Sequence, residues 1–315
     1  MSEGDPVAVL YIGGAGRSGS TLLDRMLGQV PGACSLGEVV HLWARGVRDD
    51  ERCGCGQVFS ACPFWIEVGE RAFGGWDRIE VEEVLALQSR VDRNRFIPLT
   101  ITPWAAPGYR HAANRYGGYL ERVFRAARDV SGAEVVIDSS KHASTAYVYR
   151  GVRGLDLRVV HLVRDARGVA YSWTKQVAKP EVVGRKEFMP RFGPAKAARW
   201  WLAFNALFDL LPVTGVPMML LRYESLIREP REQTERVVRF ARLSAGSDAL
   251  GFVGPDTVQL AATHTVAGNP MRFETGPLAL RLDEAWRQEL PRGDLRGVEL
   301  VTWPLLRRYG YEVRA

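Results

Sequence analysis

No apolar run in the 315 residues is long enough to span a bilayer, so a helical membrane protein is excluded. No block of one charge sign and no aromatic-studded basic stripe is present, so a nucleic-acid-binding surface is not expected. The 42 Lys and Arg against 36 Asp and Glu leave a net charge of +6. That excess is spread along the chain, where it suits an anionic ligand or simply a solvated surface. There is no internal repeat, low-complexity tract or linker, and the 17 prolines and 32 glycines are scattered. The opening "MSEGDPVAVLYIGG" lacks the basic segment of a secretory leader and runs directly into an apolar stretch, so a cytoplasmic enzyme is expected.

Cysteine is also scarce. Three of the four cysteines, Cys53, Cys55 and Cys62, fall in "CGCGQVFSACPFW". C-x-C-x6-C offers three zinc ligands and leaves Cys34 or a histidine as candidates for the fourth. The spacing matches no paired C-x-x-C pattern. The stretch is therefore read as a tight turn carrying reduced thiols, and no metal site is assigned.

What is present is an alternation of strands and helices. "PVAVLYIGG", "EVVID" (134–138), "LRVVHLV" (157–163) and "PMMLLRY" (217–223) are short continuous apolar runs with strand-like flanks. Helical patterns occupy 22–30, 77–93, 114–129, 165–178, 195–211, 229–242, 278–290 and 294–308. This rhythm predicts an α/β fold with a parallel sheet and helices on both faces, built as one domain over 1–315. Ligand chemistry in such sheets gathers at the carboxyl ends of the strands. Five stretches meet there: Gly13–Thr21, Asp138–Lys141, Arg164–Ser172, Tyr223 with Glu224, and the loop 264–276.

The first of these, "GGAGRSGST", carries G-x-x-x-x-G from Gly14 to Gly19. Its glycines let backbone N–H groups approach an oxyanion, and the following helix adds its positive end. A nucleotide-hydrolysing loop would continue with lysine. Here Ser20 and Thr21 follow directly, and the only cation in the loop is Arg17, a planar fork suited to tetrahedral oxyanions.

"GRSGSTLLDRML" resembles the 5′-phosphosulfate loop of sulfotransferases that use 3′-phosphoadenosine 5′-phosphosulfate (PAPS). "VVHLVRDARGVAYSW" (159–173) resembles their 3′-phosphate motif. Arg164 ends a strand, and Ser172 lies about two helical turns on, on the face Arg164 overhangs. The resemblance implies a P-loop-NTPase-like fold and PAPS as co-substrate. It implies a cradle of Gly16, Arg17, Ser18, Gly19, Ser20 and Thr21, and a 3′-phosphate grip by Arg164 and Ser172. A sulfuryl group carries less charge than a phosphoryl group, so no metal is required.

In tyrosyl-protein sulfotransferases and several bacterial relatives, a glutamate placed like Glu38 in "SLGEVVHLW" is the catalytic base; His41, one turn on, is the rival. Lys141 resembles the family lysine that neutralises the bridging oxygen as the S–O bond breaks. Tyr223 matches the Y-E-x-L stretch that touches the nucleotide. The loop "HTVAGNPMRFETGP" resembles one that folds over it, with Asn269 and Arg272 as donors. Where some relatives carry an arginine after the serine, this chain has Gln176 beside Lys175.

Residues 43–130 match no interpretable motif and are read as a helical insertion on the acceptor side, with Trp43, Trp65, Trp104, Tyr109 and Tyr116 as cleft or core residues. The acceptor is a small-molecule, glycan or peptide hydroxyl; oligomeric state is not legible. The competing readings are a P-loop kinase, with Asp138 as magnesium ligand, and a non-catalytic nucleotide-binding module.

Overall fold

The structure, a computed structural model, describes residues 4–102, 104, 106–177 and 188–313. Five parallel strands form the centre: β1 (Val7–Gly13), β2 (Ala33–Ser35), β3 (Val135–Lys141), β4 (Leu155–Val163) and β5 (Met218–Arg222), in the order β2-β3-β1-β4-β5. The strands are largely apolar because helices cover both faces, although β3 ends in Asp138–Lys141 and the edge strand β5 is partly exposed. On β1, Val7, Val9 and Tyr11 join one core with Leu120, Val123 and Phe124 of helix α5 (Pro107–Ser131). The alternate residues Leu10 and Ile12 join another with Leu22, Leu23 and Met26 of α1 (Ser20–Leu27) and Val237 and Val238 of α10 (Pro230–Ala241). Helices thus lie on both faces of the sheet, as the alternation predicts.

Residues 42–131 are mainly helical, with α2 (Pro63–Phe73), α3 (Val81–Val91) and α4 (Ile97–Ile101) preceding α5. Beyond β3 come α6 (Ala143–Arg150) and α7 (Ala166–Thr174), the latter capped by Asp165, whose carboxylate accepts from the Arg167 amide at 2.9 Å. Helices α8 (Pro194–Leu210) and α12 (Arg292–Arg308) pack on α7 through Trp201, Val298 and Leu306. A short α9 (Tyr223–Arg228) follows β5 directly.

The helix expected at 278–290 is not formed as such. Residues Thr257–Leu260 (β6) and Gly276–Ala279 (β7) pair antiparallel, and only Trp286–Glu289 (α11) is helical there. Gly276 at φ 91° and the following proline favour an extended entry over a helix start. The pattern at 165–178 ends at Thr174; its last position lies outside the described residues. Strand β2 and helices α2 and α6 are additional to the predicted elements; α2 buries Trp65, Val68, Gly69 and Ala72 at helical spacing, a pattern not singled out in the sequence.

Candidate active site

The loop leaving β1 is set by backbone conformation. Gly14 (φ 139°) has the Leu162 carbonyl where a Cβ would lie, 2.2 Å away. Gly19 (φ 90°) caps α1, and a Cβ there would meet the Tyr223 ring at 2.5 Å. Arg17 itself sits at φ 70° and lays its guanidinium over the Trp173 ring, 5.0 Å to the centroid. Burial lowers its pKa, yet Arg17 Nε and Nη2 and the Ser18 hydroxyl are buried without a hydrogen-bond partner. Orphaned buried donors are costly. Here they share one loop with glycine-rich backbone and a helix start, which is the donor set an oxyanion needs.

Arg164, at the end of β4, is buried and stacks on Tyr223 at 4.7 Å. Its guanidinium donates to the Arg17 carbonyl at 3.3 Å, so it is tied to the loop. It also pairs with Asp283 at 3.5 Å, and Lys175 meets the same carboxylate at 3.0 Å. Asp283 was not legible in the sequence: it comes from the turn before α11, 119 residues away. Ser172 lies near the end of α7, half-buried. Glu224, beside Tyr223, is structural; it accepts from the Asp165 amide at 2.9 Å and from the Tyr311 hydroxyl at 2.7 Å.

Glu38 and Lys141 meet although 103 residues separate them: the ammonium donates to Glu38 Oε1 and to the Ser139 carbonyl at 3.3 Å. Lys141 is the last residue of β3, at φ 69°, not the first of a helix. His41 Nε2 stands 3.6 Å from Glu38 Oε2. Burial pushes the Glu38 carboxyl up, but Lys141 first and then His41 outweigh it, and the group lies below the usual carboxylate range. Burial also lowers His41, leaving it neutral at neutral pH. Asp138 builds this arrangement from below. It accepts from the Val39 amide at 3.3 Å, the Ser140 amide at 2.8 Å and the Tyr149 hydroxyl at 2.6 Å. With its acceptors engaged in holding the Glu38 turn, Asp138 is not presented as a magnesium ligand.

A cavity of about 380 Å³ opens on the His41 side of this pair, lined among others by His41, His142, Gln88, Asp92, Asn94 and Phe204 but not by Glu38 or Lys141 themselves. Gln88, Asp92 and Asn94 belong to the 43–130 segment. The aromatics considered for a cleft do not line it: Trp43, Trp65 and Tyr116 are core residues.

The loop 264–276 comes close to the same place. A Cβ on Gly268 would lie 3.5 Å from Glu38 Oε1 and 3.9 Å from the Thr21 hydroxyl. Arg272, expected as a phosphate donor, is turned inward. Its guanidinium donates to the Thr265 and Arg52 carbonyls at 2.7 and 2.6 Å, and the residue is 1% exposed. A polar loop composition does not tell which way an arginine points. Asn269 caps the short turn Pro270–Phe273, its carbonyl accepting from the Met271 amide at 3.1 Å. Buried Arg25 of α1, not singled out in the sequence, fastens the loop from below by donating to the Met271, Ala261 and Glu274 carbonyls. The loop also brings His264 to Cys53, Cys55 and Cys62, the fourth position that the sequence left open, while Cys34 lies apart on β2.

The sulfotransferase domain model matches residues 10–266, and the chain belongs to that family. Its structure is similar to the sulfotransferase domain of the Synechococcus PCC 7002 olefin synthase, at 18% identity and TM-score 0.53, over 100% of this chain and 98% of that one. It is also similar to the sulfotransferase domain from the curacin biosynthetic pathway, at 16% identity and TM-score 0.51, over 98% and 99%. At these identities the likeness shows a shared P-loop-NTPase-like fold, and the family membership makes the chain an enzyme of sulfuryl transfer. No helix among the described residues is long and apolar enough to cross a membrane.

Proposed function

We propose that the protein transfers the sulfuryl group of PAPS to a hydroxyl acceptor. Glu38 is the base, Arg17 and Lys141 stabilise the transferring group, and acceptor access is through the cavity beside His41 and His142. The observation that carries the reading is the set of buried, unpartnered donors on Arg17 and Ser18, one loop away from a carboxylate–ammonium pair. PAPS would supply an activated sulfuryl group on a nucleotide phosphate leaving group. The loop Gly16–Thr21 would hold the 5′-phosphosulfate through backbone N–H groups and the Arg17 fork. Arg164 and Ser172, with Lys175 at the same carboxylate as Arg164, would hold the 3′-phosphate. Tyr223, under Arg164, fixes that arginine's plane, and Asn269 would add a donor from the late loop.

Glu38 accepts the acceptor's proton as the hydroxyl attacks. Lys141 is already placed between that carboxylate and the strand end, so it can turn from Glu38 to the oxygen that gains charge as the S–O bond breaks. The segment 43–130 forms the acceptor side. A kinase reading is weakened by Ser20 at the lysine position and by the engagement of Asp138.

Calorimetry with 3′-phosphoadenosine 5′-phosphate against ATP, each with and without Mg²⁺, tests the donor. Tight, magnesium-independent binding of the bisphosphate with weak ATP binding is expected. Magnesium-dependent ATP binding of comparable strength would reverse the assignment. Sulfuryl transfer to a panel of phenols, alcohols and sugars in magnesium-free medium then separates an enzyme from a binding module.

A further inference from the structure

Outside the catalytic pair, one other cluster of reactive side chains is assembled from distant parts of the chain. Cys53 and Cys55 lie on a turn whose Gly56 adopts φ 90°; Cys62 precedes α2 and its N1 proline; His264 arrives from the late loop, 202 residues after Cys62. We propose that Cys53, Cys55, Cys62 and His264 bind one zinc ion as a closed structural site that fastens the cysteine turn to the loop beside Glu38.

Four of the six edges between the ligand atoms are close to those of a tetrahedron. Zinc–sulfur bonds of about 2.3 Å and zinc–nitrogen bonds of about 2.0–2.1 Å give tetrahedral edges of roughly 3.8 Å between sulfurs and roughly 3.5 Å from sulfur to nitrogen. The Cys53–Cys62 and Cys55–Cys62 sulfurs are 3.6 and 3.7 Å apart. His264 Nδ1 is 3.3 Å from Cys62 Sγ and 4.0 Å from Cys53 Sγ, and all four ligand atoms lie within 4.8 Å of one another. None of the cysteines is in a disulfide.

The Cys55 amide donates to the Cys53 sulfur and the Trp65 amide to the Cys62 sulfur. Cys62 also stands at the positive end of the 11-residue α2. The His264 ring is held by stacking on Phe64, with centroids 5.0 Å apart, and by the Trp65 indole N–H donating to the His264 carbonyl at 2.9 Å. The stacking fixes the plane of the ring, and the Trp65 contact fixes the backbone that carries it. Four protein ligands leave no open position, so the role is structural. Its consequence reaches the active site because the same loop carries Gly268 against Glu38 and Thr21. The proposal does not depend on which donor the enzyme uses.

The test is made on the full-length chain without a polyhistidine tag. Elemental analysis after dialysis into metal-free buffer is expected to give about one zinc per chain. X-ray absorption is expected to show three sulfurs at about 2.3 Å and one nitrogen at about 2.0 Å. A mercurial reagent titrated into the wild-type protein is expected to release the zinc in step with three thiols, so the result does not hinge on a variant folding. Cys55→Ser and His264→Ala are each expected to purify with far less zinc. A chain isolated without zinc still supports the proposal if added Co²⁺ gives the absorption of a tetrahedral thiolate site. Failure to take up either metal, or zinc bound through oxygen ligands, overturns it.

Discussion

At the scale of single residues, the Glu38–Lys141 ion pair raises a question of mechanism: a carboxylate held below its usual range by an ammonium is a weaker base than a free one. On the proposed mechanism the resolution is that Lys141 leaves Glu38 as charge develops on the leaving side. Glu38→Gln keeps the shape and removes the proton acceptor, so kcat is expected to fall roughly 10²–10⁴-fold with donor affinity nearly unchanged. The loss should shrink for nitrophenols, which ionise without help. Lys141→Ala should slow acidic and non-acidic acceptors alike. Because Glu38 is ionised above its lowered pKa, kcat/KM should be flat through neutral pH and fall only below the ordinary glutamate range. Full activity in Glu38→Gln, with His41→Ala inactive, would transfer the role to His41. Arg164 yields a second expectation. Arg164→Ala removes a charge-assisted contact worth about 1.5–3 kcal/mol, so binding of the bisphosphate should weaken about ten- to a hundredfold. Adenosine 5′-phosphate should be much less affected; equal losses for the two nucleotides would place Arg164 away from the 3′-phosphate.

At the scale of elements, Gly19 joins its own loop and helix to the start of α9. It caps α1 at φ 90° and touches the Tyr223 ring on which Arg164 stacks. Gly19→Ala should cost about 1–3 kcal/mol of stability from the strained backbone alone. It should also weaken bisphosphate binding, because Tyr223 must shift under Arg164. Denaturant unfolding with a nucleotide titration checks both, and an unchanged affinity would mean that Tyr223 moves without carrying Arg164 along. Which elements could be read in advance follows the same logic of local against distant control. The four long strands were legible because each contains a continuous apolar run, buried on both faces in β1 and only partly covered in the edge strand β5. The loop was legible because its glycines answer to backbone conformation, a local property. Asp283, His264 and the inward turn of Arg272 were not, since each is decided by a partner far away in sequence. The supposed helix at 278–290 failed because Leu278, Leu280 and Leu282 recur at the strand period, and residues 276–279 pair with β6.

At the scale of the whole molecule, the buried titratable groups oppose one another in their effect on stability. Burial pushes the Asp24 carboxyl up to about 7, against about 3.9 in an unfolded chain. Between those values the folded protein holds a proton that the unfolded chain has released, so this group's contribution to stability falls as pH rises from about 4 to about 7. Burial pushes His161 down to about 4, so the unfolded chain takes up the proton first, and its contribution rises with pH between about 4 and 6.5. The wild-type profile is a sum of such opposed slopes and does not isolate either. The difference between wild type and Asp24→Asn does. Asparagine cannot ionise, so its stability relative to wild type should climb across pH 4 to 7 by at most ~4 kcal/mol and then level off. The absolute offset depends on how the amide packs, but the slope does not. Urea midpoints of both proteins at a series of pH values, with m-values checked for constancy, give the curve. A difference that stays level across that range would mean that Asp24 ionises as an ordinary carboxylate within the fold, with polar partners that compensate its burial beneath the loop.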